Sequence, residues 1–178
     1  MLKTPERLFG TPAHPGCLDA FEPLDACHRD TLRMLDDFER LVARIEAAGI
    51  DAAVRTTAAA IDLYFTDELR LHHQEEERTV FPLLASSADP EIAQAVARLT
   101  QDHAWLRADW RVLSGLVRAV ATGQSWVDVD VLRDGVAVFA TLSRDHIALE
   151  ESLIYPRARI RMLEASRHET RRAMALRP

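Results

Sequence analysis

The sequence predicts an all-α protein, an antiparallel up-down-up-down four-helix bundle with a short C-terminal helix. Three observations predict it. Four long segments repeat apolar residues at three-four spacing, the period of a helix with one buried face. The segments are joined by short stretches carrying Gly, Ser, Asp and Pro, as antiparallel neighbours in a bundle require. Only 6 glycines stand among 178 residues rich in Ala, Leu, Arg and Glu, all good helix formers, and no strand pattern competes.

Residues 1–17 hold Pro5, Gly10, Pro12, Pro15 and Gly16 and read as a non-helical lead-in, with His14 exposed on it. Residues 18–156 read as the bundle. Its first helix is expected from near Ala20 to Ala48, with Gly49 as its stop. One face carries Leu24, His28, Thr31, Leu35, Phe38, Val42 and Ile45, and His28 is its one strongly polar side chain. The second helix should start at an Asp51 cap and reach about Leu84, burying Ile61, Phe65, Leu69, His72, Glu76, Val80 and Leu83. On this face argument His73 and Glu77 point outward with Thr66 and Asp62. Asp89 and Pro90 cap the third helix, which runs to about Thr122 with His103 in an apolar stripe from Ile92 to Val120. A cap at Asp128 or Asp130 opens the fourth, with Phe139, Leu142, His146, Glu150 and Ile154 inward. Residues 157–178 read as an Arg-rich helix or tail, either a bent continuation or a fifth helix, and solvated.

The chain is long enough for one sizeable core. Its 22 basic and 28 acidic residues give a net charge of −6, which argues against a nucleic-acid binder. No apolar run approaches the roughly 20 residues of a membrane span, and residues 1–16 lack the apolar core of a signal peptide. A cytoplasmic protein, monomer or homodimer, is therefore expected. Cys17 and Cys27 make neither a C-x-x-C pair nor a disulfide framework.

The chemistry lies in an internal repeat. His72-x-x-x-Glu76-Glu77-x-x-Val80-Phe81-Pro82 and His146-x-x-x-Glu150-Glu151-x-x-Ile154-Tyr155-Pro156 share the pattern His-x-x-x-Glu-Glu-x-x-(Val/Ile)-(Phe/Tyr)-Pro. A His and a Glu four apart stand one above the other on one helix face. His28 precedes His72 by 44 residues and His103 precedes His146 by 43. Paired antiparallel, the two halves put four histidines and two glutamates at similar depth. An unpaired buried carboxylate costs several kcal/mol and an unsatisfied imidazole about 1–3 kcal/mol, against a domain stability of about 5–15 kcal/mol. Such a layer needs either mutual hydrogen bonds or a cation. Mixed imidazole and carboxylate donors suit first-row transition metals, and six donors exceed one tetrahedral zinc but suit two ions bridged by carboxylates.

These residues, from about Leu18 to Pro156, resemble the hemerythrin-like, or HHE cation-binding, domain. The resemblance implies a four-helix bundle holding a non-haem di-iron centre, oxo- or hydroxo-bridged, with His28, His72, Glu76, His103, His146 and Glu150 as ligands. Zinc or manganese could take the same ligands. The implied partners are a small diatomic ligand (O₂ or NO) or peroxide, and the implied work is binding or sensing them, or handling iron under stress. An enzyme reducing NO or disproportionating peroxide is a second reading, and a regulator acting on a protein partner a third. Hemerythrins that carry oxygen have five histidines where four match here, and His73 is the candidate for the extra one. The iron–sulfur repair members carry an N-terminal cysteine-rich segment that Cys17 and Cys27 do not reproduce. Among other residues, Tyr64, Trp110 and Cys27 read as packing, and Leu69, Leu106 and Leu142 as the candidate apolar surround of the site.

Overall fold

The computed structural model describes residues 21–175 except Ser86 and Ser125. The lead-in, His14, Cys17 and Arg177 lie outside the described residues. Four helical runs make the bundle. Helix α1 is Glu22–Ala48. Helix α2 runs over 52–84 and joins three α segments through two π turns, Tyr64–Glu68 and Glu76–Val80. Helix α3 is Pro90–Ala121. Helix α4 runs over 129–175 through a third π turn, Glu150–Ile154. Each helix packs against its neighbours in chain order, and α1 closes the ring against α4. No strand occurs among the described residues, and none of these helices is long and apolar enough to cross a membrane.

The ends follow local chemistry. The Asp51 carboxylate accepts from the Val54 N–H, Asp89 from Glu91, and Asp128 from Asp130 and Val131. Each cap satisfies donors that a first turn leaves open. Gly49, at φ +75° and ψ −167°, takes a positive-φ conformation open mainly to glycine, and α1 stops there. As far as it is described, the C-terminal stretch is helical, and of the two forms expected it takes the continuation. It continues α4 to Ala175, and beyond Ala158 it is mostly exposed.

Two of the three π turns, Glu76–Val80 and Glu150–Ile154, have a cause in the repeat. The N–H of Phe81 bonds the carbonyl of Glu76, and that of Tyr155 bonds Glu150, each five residues back. Pro82 and Pro156 follow immediately. A proline ring has no N–H and crowds the carbonyl four residues back, so the turn before it widens by one residue and the helix continues. The extra residue moves the downstream face: Leu84 is buried where uniform spacing selects Leu83, which is only half-buried.

Two apolar cores sandwich a polar layer. The larger contains Leu35, Phe38, Ile61, Phe65, Trp110 and Phe139; the smaller contains Leu24, Phe81, Leu84, Leu99, Ile154 and Tyr155. Burying a side chain of this size contributes about 1.5–3 kcal/mol, so the two cores supply the stability that a charged layer between them consumes.

Candidate metal centre

The layer between the cores is built from all four helices. His28 comes from α1, His72, His73 and Glu76 from α2, His103 from α3, and His146 and Glu150 from α4. All seven are buried. They form two groups of four whose ligand atoms lie within 4.8 Å of one another: His73, Glu76, His103 and His146, and His28, His72, Glu76 and Glu150. Glu76 belongs to both. Its Oε1 is 3.4 Å from His72 Nε2 and its Oε2 is 3.4 Å from His103 Nε2. Glu150 is divided in the same way, Oε1 lying 3.2 Å from His146 Nε2 and Oε2 3.2 Å from His28 Nε2. Each carboxylate therefore offers one oxygen to each half.

His73 corrects the helix-face argument. It is 3% exposed, not outward, and its ring stacks on His103 with centroids 3.9 Å apart. The outward reading follows from extending its face back to Thr66 and Asp62; from Leu69, four residues before it, uniform steps leave His73 only about 40° away, on the buried side. The π turn Tyr64–Glu68 holds an extra residue, and the strand of helix beyond it turns both His72 and His73 toward the bundle axis.

The outer nitrogens of two histidines are held by the second glutamate of each repeat. Glu77 Oε1 is 2.8 Å from His103 Nδ1, and Glu151 Oε1 is 3.1 Å from His28 Nδ1. A carboxylate there accepts a hydrogen bond from Nδ1–H, which leaves the Nε2 lone pair aimed into the layer. Arg107 in turn holds Glu77 at 3.1 Å. Buried Asp102 stands 3.8 Å from His146 Nδ1. Residue-by-residue reading places Glu77 outward and assigns Glu151 no role. The signal that finds them is their recurrence at the same place in both repeats. Asp102 left no signal beyond lying next to His103.

Tyr155 was also missed. Its hydroxyl donates to Glu76 Oε1 at 2.5 Å and lies 3.2 Å from His28 Nε2. Tyr64, the tyrosine noticed in the sequence, instead bonds Thr31 Oγ1 and the Cys27 carbonyl. Cys27 is packed beside it, its thiol pushed up to about 11 chiefly by burial. Trp110 lies in the core and donates to Thr66, while Trp105 and Trp126 are exposed.

Charge in the layer is unevenly spread. Burial alone would raise the Glu76 carboxyl, but the imidazoles of His72, His103 and His73 outweigh it and hold it well below the usual range. Burial, reinforced by the charge of Glu76, pushes Glu150 well above that range. Burial also brings His72 down to about 4 and lowers His73 and His146. At His28 burial opposes the charged form, yet Glu150, Glu76 and Glu151 raise it.

Protein groups alone leave this layer unfinished. Glu76 Oε2 and both oxygens of Glu150 are buried without a hydrogen-bond partner, and the Nε2 atoms of His103 and His146 face each other at 3.1 Å. Converging lone pairs and orphaned carboxylate oxygens are what a cation satisfies, and the donor set fits iron, zinc or manganese. Beside the layer is a small cavity of about 10 Å³, lined by His28, His72, His73, His146, Leu69 and Leu106 with Thr31, Ser143 and Ile147. That is room for about one water-sized molecule. Leu142 is not part of it; the chain presents Ser143 there and leaves Leu142 half-buried on an outer groove.

Known proteins resemble the chain in this part. An uncharacterized protein of Haemophilus influenzae is 30% identical over 135 residues, covering 76% of each chain. An iron-sulfur cluster repair protein YtfE of Pectobacterium atrosepticum is 26% identical over 132 residues, which is 74% of this chain and 59% of the relative. The YtfE protein of Pectobacterium carotovorum subsp. carotovorum is 28% identical over 93 residues, 52% of this chain and 42% of its own. The chain thus spans about half the length of the two repair proteins it matches. No solved structure matches it. The family model for the hemerythrin HHE cation binding domain matches residues 19–158, which hold every residue of the polar layer, and the chain belongs to that family.

Proposed function

We propose that the layer holds two iron ions and that the protein binds or senses a small ligand (O₂, NO or peroxide) or handles iron under oxidative or nitrosative stress. The observation that carries this reading is Glu76, common to both four-residue groups, with Glu150 divided between the same two halves. In this reading His73, His103 and His146 serve one ion and His28 and His72 the other, with Glu76 and Glu150 across both. Iron bound there would supply reversible one-electron chemistry and open positions for a ligand. The chain supplies the rest. Glu77 and Glu151 fix the tautomers of His103 and His28, Tyr155 holds Glu76, and Leu69 and Leu106 form part of the apolar wall of the small adjoining cavity. The names of the two Pectobacterium relatives, iron-sulfur cluster repair proteins, support iron as the setting.

The test is metal content per chain by mass spectrometry after chelator washing and anaerobic reloading with Fe(II), beside a His72→Ala, His146→Ala double variant. About two irons, lost in the variant, is the expected result. A wild-type chain that takes up no metal, or a variant that keeps it, would leave a structural polar layer and end the reading.

A further inference from the structure

Two grooves flank α2 and both reach the polar layer, but their charges are opposite. One, between α1 and α2, ends at His72 and carries Asp30, Glu68 and Glu75. The other, between α2 and α3, has a volume of about 280 Å³ and ends at His73. Its floor is apolar (Phe65, Trp110 and Phe139 among others), and Arg70, Arg107, Arg111 and Arg118 stand around it. Leu69, His73 and Leu106 line both this groove and the small cavity beside the layer, so these three side chains are the wall between them.

We infer that the arginine-rimmed groove is the entrance for small inorganic anions, such as superoxide, hydroperoxide or nitrite, to the centre. The inference rests on the metal reading above and adds a route and a charge preference to it. The whole chain carries a net charge of −6, so its overall field does not draw anions in. Within a Debye length of roughly 8–10 Å the local rim decides instead. Of its four arginines, Arg107 is paired with Glu77 and Arg118 with Asp62. Arg70 bonds the neutral Gln74 amide, and Arg111 has no carboxylate partner among the described residues. Two cations are left to face solvent over a low-dielectric floor, the arrangement that focuses a field and raises the encounter rate of opposite charge.

The test uses the full chain loaded with iron, azide as the anionic probe of the ferric form and NO as the uncharged probe of the ferrous form. Arg70→Glu with Arg111→Glu reverses the rim, and Arg171→Glu with Arg172→Glu makes the same change in net charge on the exposed end of α4. Stopped-flow mixing at low salt should show azide association slowed roughly 10-fold or more in the rim variant and NO association within about two-fold of wild type. The control variant should track wild type for both probes, and high salt should remove the azide difference. Azide rates unchanged in the rim variant, azide and NO slowed alike, or an equal effect in the control would each overturn the entrance. Iron content measured before mixing separates the two failures. A wild-type chain without iron ends the reading of the centre, whereas a loaded rim variant with unchanged azide rates ends the entrance alone.

Discussion

Tyr155 and Phe81 occupy the same place in the two repeats and treat their histidines alike, but only one carries a hydroxyl. Phe81 stacks on His103 with centroids 5.4 Å apart, and Tyr155 stacks on His28 at 5.1 Å. The single oxygen that breaks the pseudo-symmetry is bonded to Glu76. Tyr155→Phe keeps the stacking and strands a buried carboxylate oxygen. The metal-free variant should lose about 1–3 kcal/mol of stability in chemical denaturation. With metal bound the loss should shrink, because a cation then neutralises the same carboxylate. Equal stability of the metal-free variant and wild type would show that the bond contributes nothing.

Glu77 and Glu151 touch no ion in this arrangement, yet they set two imidazoles. Glu77→Gln and Glu151→Gln preserve shape while removing the charge that fixes the Nδ1 proton. Each should weaken iron binding by about 10- to 100-fold in a competitive chelator titration. Glu164→Gln, on the exposed part of α4, is the comparison and should change nothing.

Metal uptake should release protons at neutral pH, and affinity should rise with pH. The sign follows from Glu150. Its carboxyl is held well above the ordinary range, mainly by burial, and the His28 imidazole beside it is raised by Glu150, Glu76 and Glu151 against its burial; both shifts favour protons in the metal-free layer that an ion must displace. His72, lowered to about 4, is already neutral and releases none. Calorimetry in two buffers of different ionisation enthalpy counts the protons, and Glu150→Gln should reduce the count. Identical apparent enthalpies in both buffers would contradict the assignment.

Chelator treatment should lower the thermal midpoint and iron should restore it, since a ligand of the folded state stabilises by mass action. His73→Ala should weaken this protection by removing one imidazole from the three-histidine half while leaving the other half intact. A variant that loads and melts like wild type would return His73 to a packing role.

The sequence showed the helices, their caps and six of the seven residues in the layer because those features are periodic. His28, His103 and His146 each interrupt an apolar stripe, and a repeat of 44 and 43 residues brings them to one depth. The misreadings fall where the period changes. His73 was turned outward and Leu83 inward because a uniform helix was assumed across Tyr64–Glu68 and Glu76–Val80, where each π turn admits an extra residue. The proline that ends each repeat is visible in the sequence, but a proline predicts a kink or bend at that place and not the one-residue widening of the turn before it. Tyr155 was hidden differently. Which tyrosine reaches a carboxylate on another helix depends on the packing of α2 against α4, and that is not written in either helix alone.

Helix α4 carries Glu150 and then continues past the bundle to Ala175 without a break. Tyr155, Ala158 and Met162 pack in or against the smaller core and Arg159 pairs with Asp25, so the first two turns beyond the π turn are held by the bundle and only the part after them projects. At about 1.5 Å per residue that part, residues 163–175, is roughly 20 Å long. One unbroken helix thus joins a buried carboxylate of the polar layer to an arginine-studded surface that stands clear of both cores.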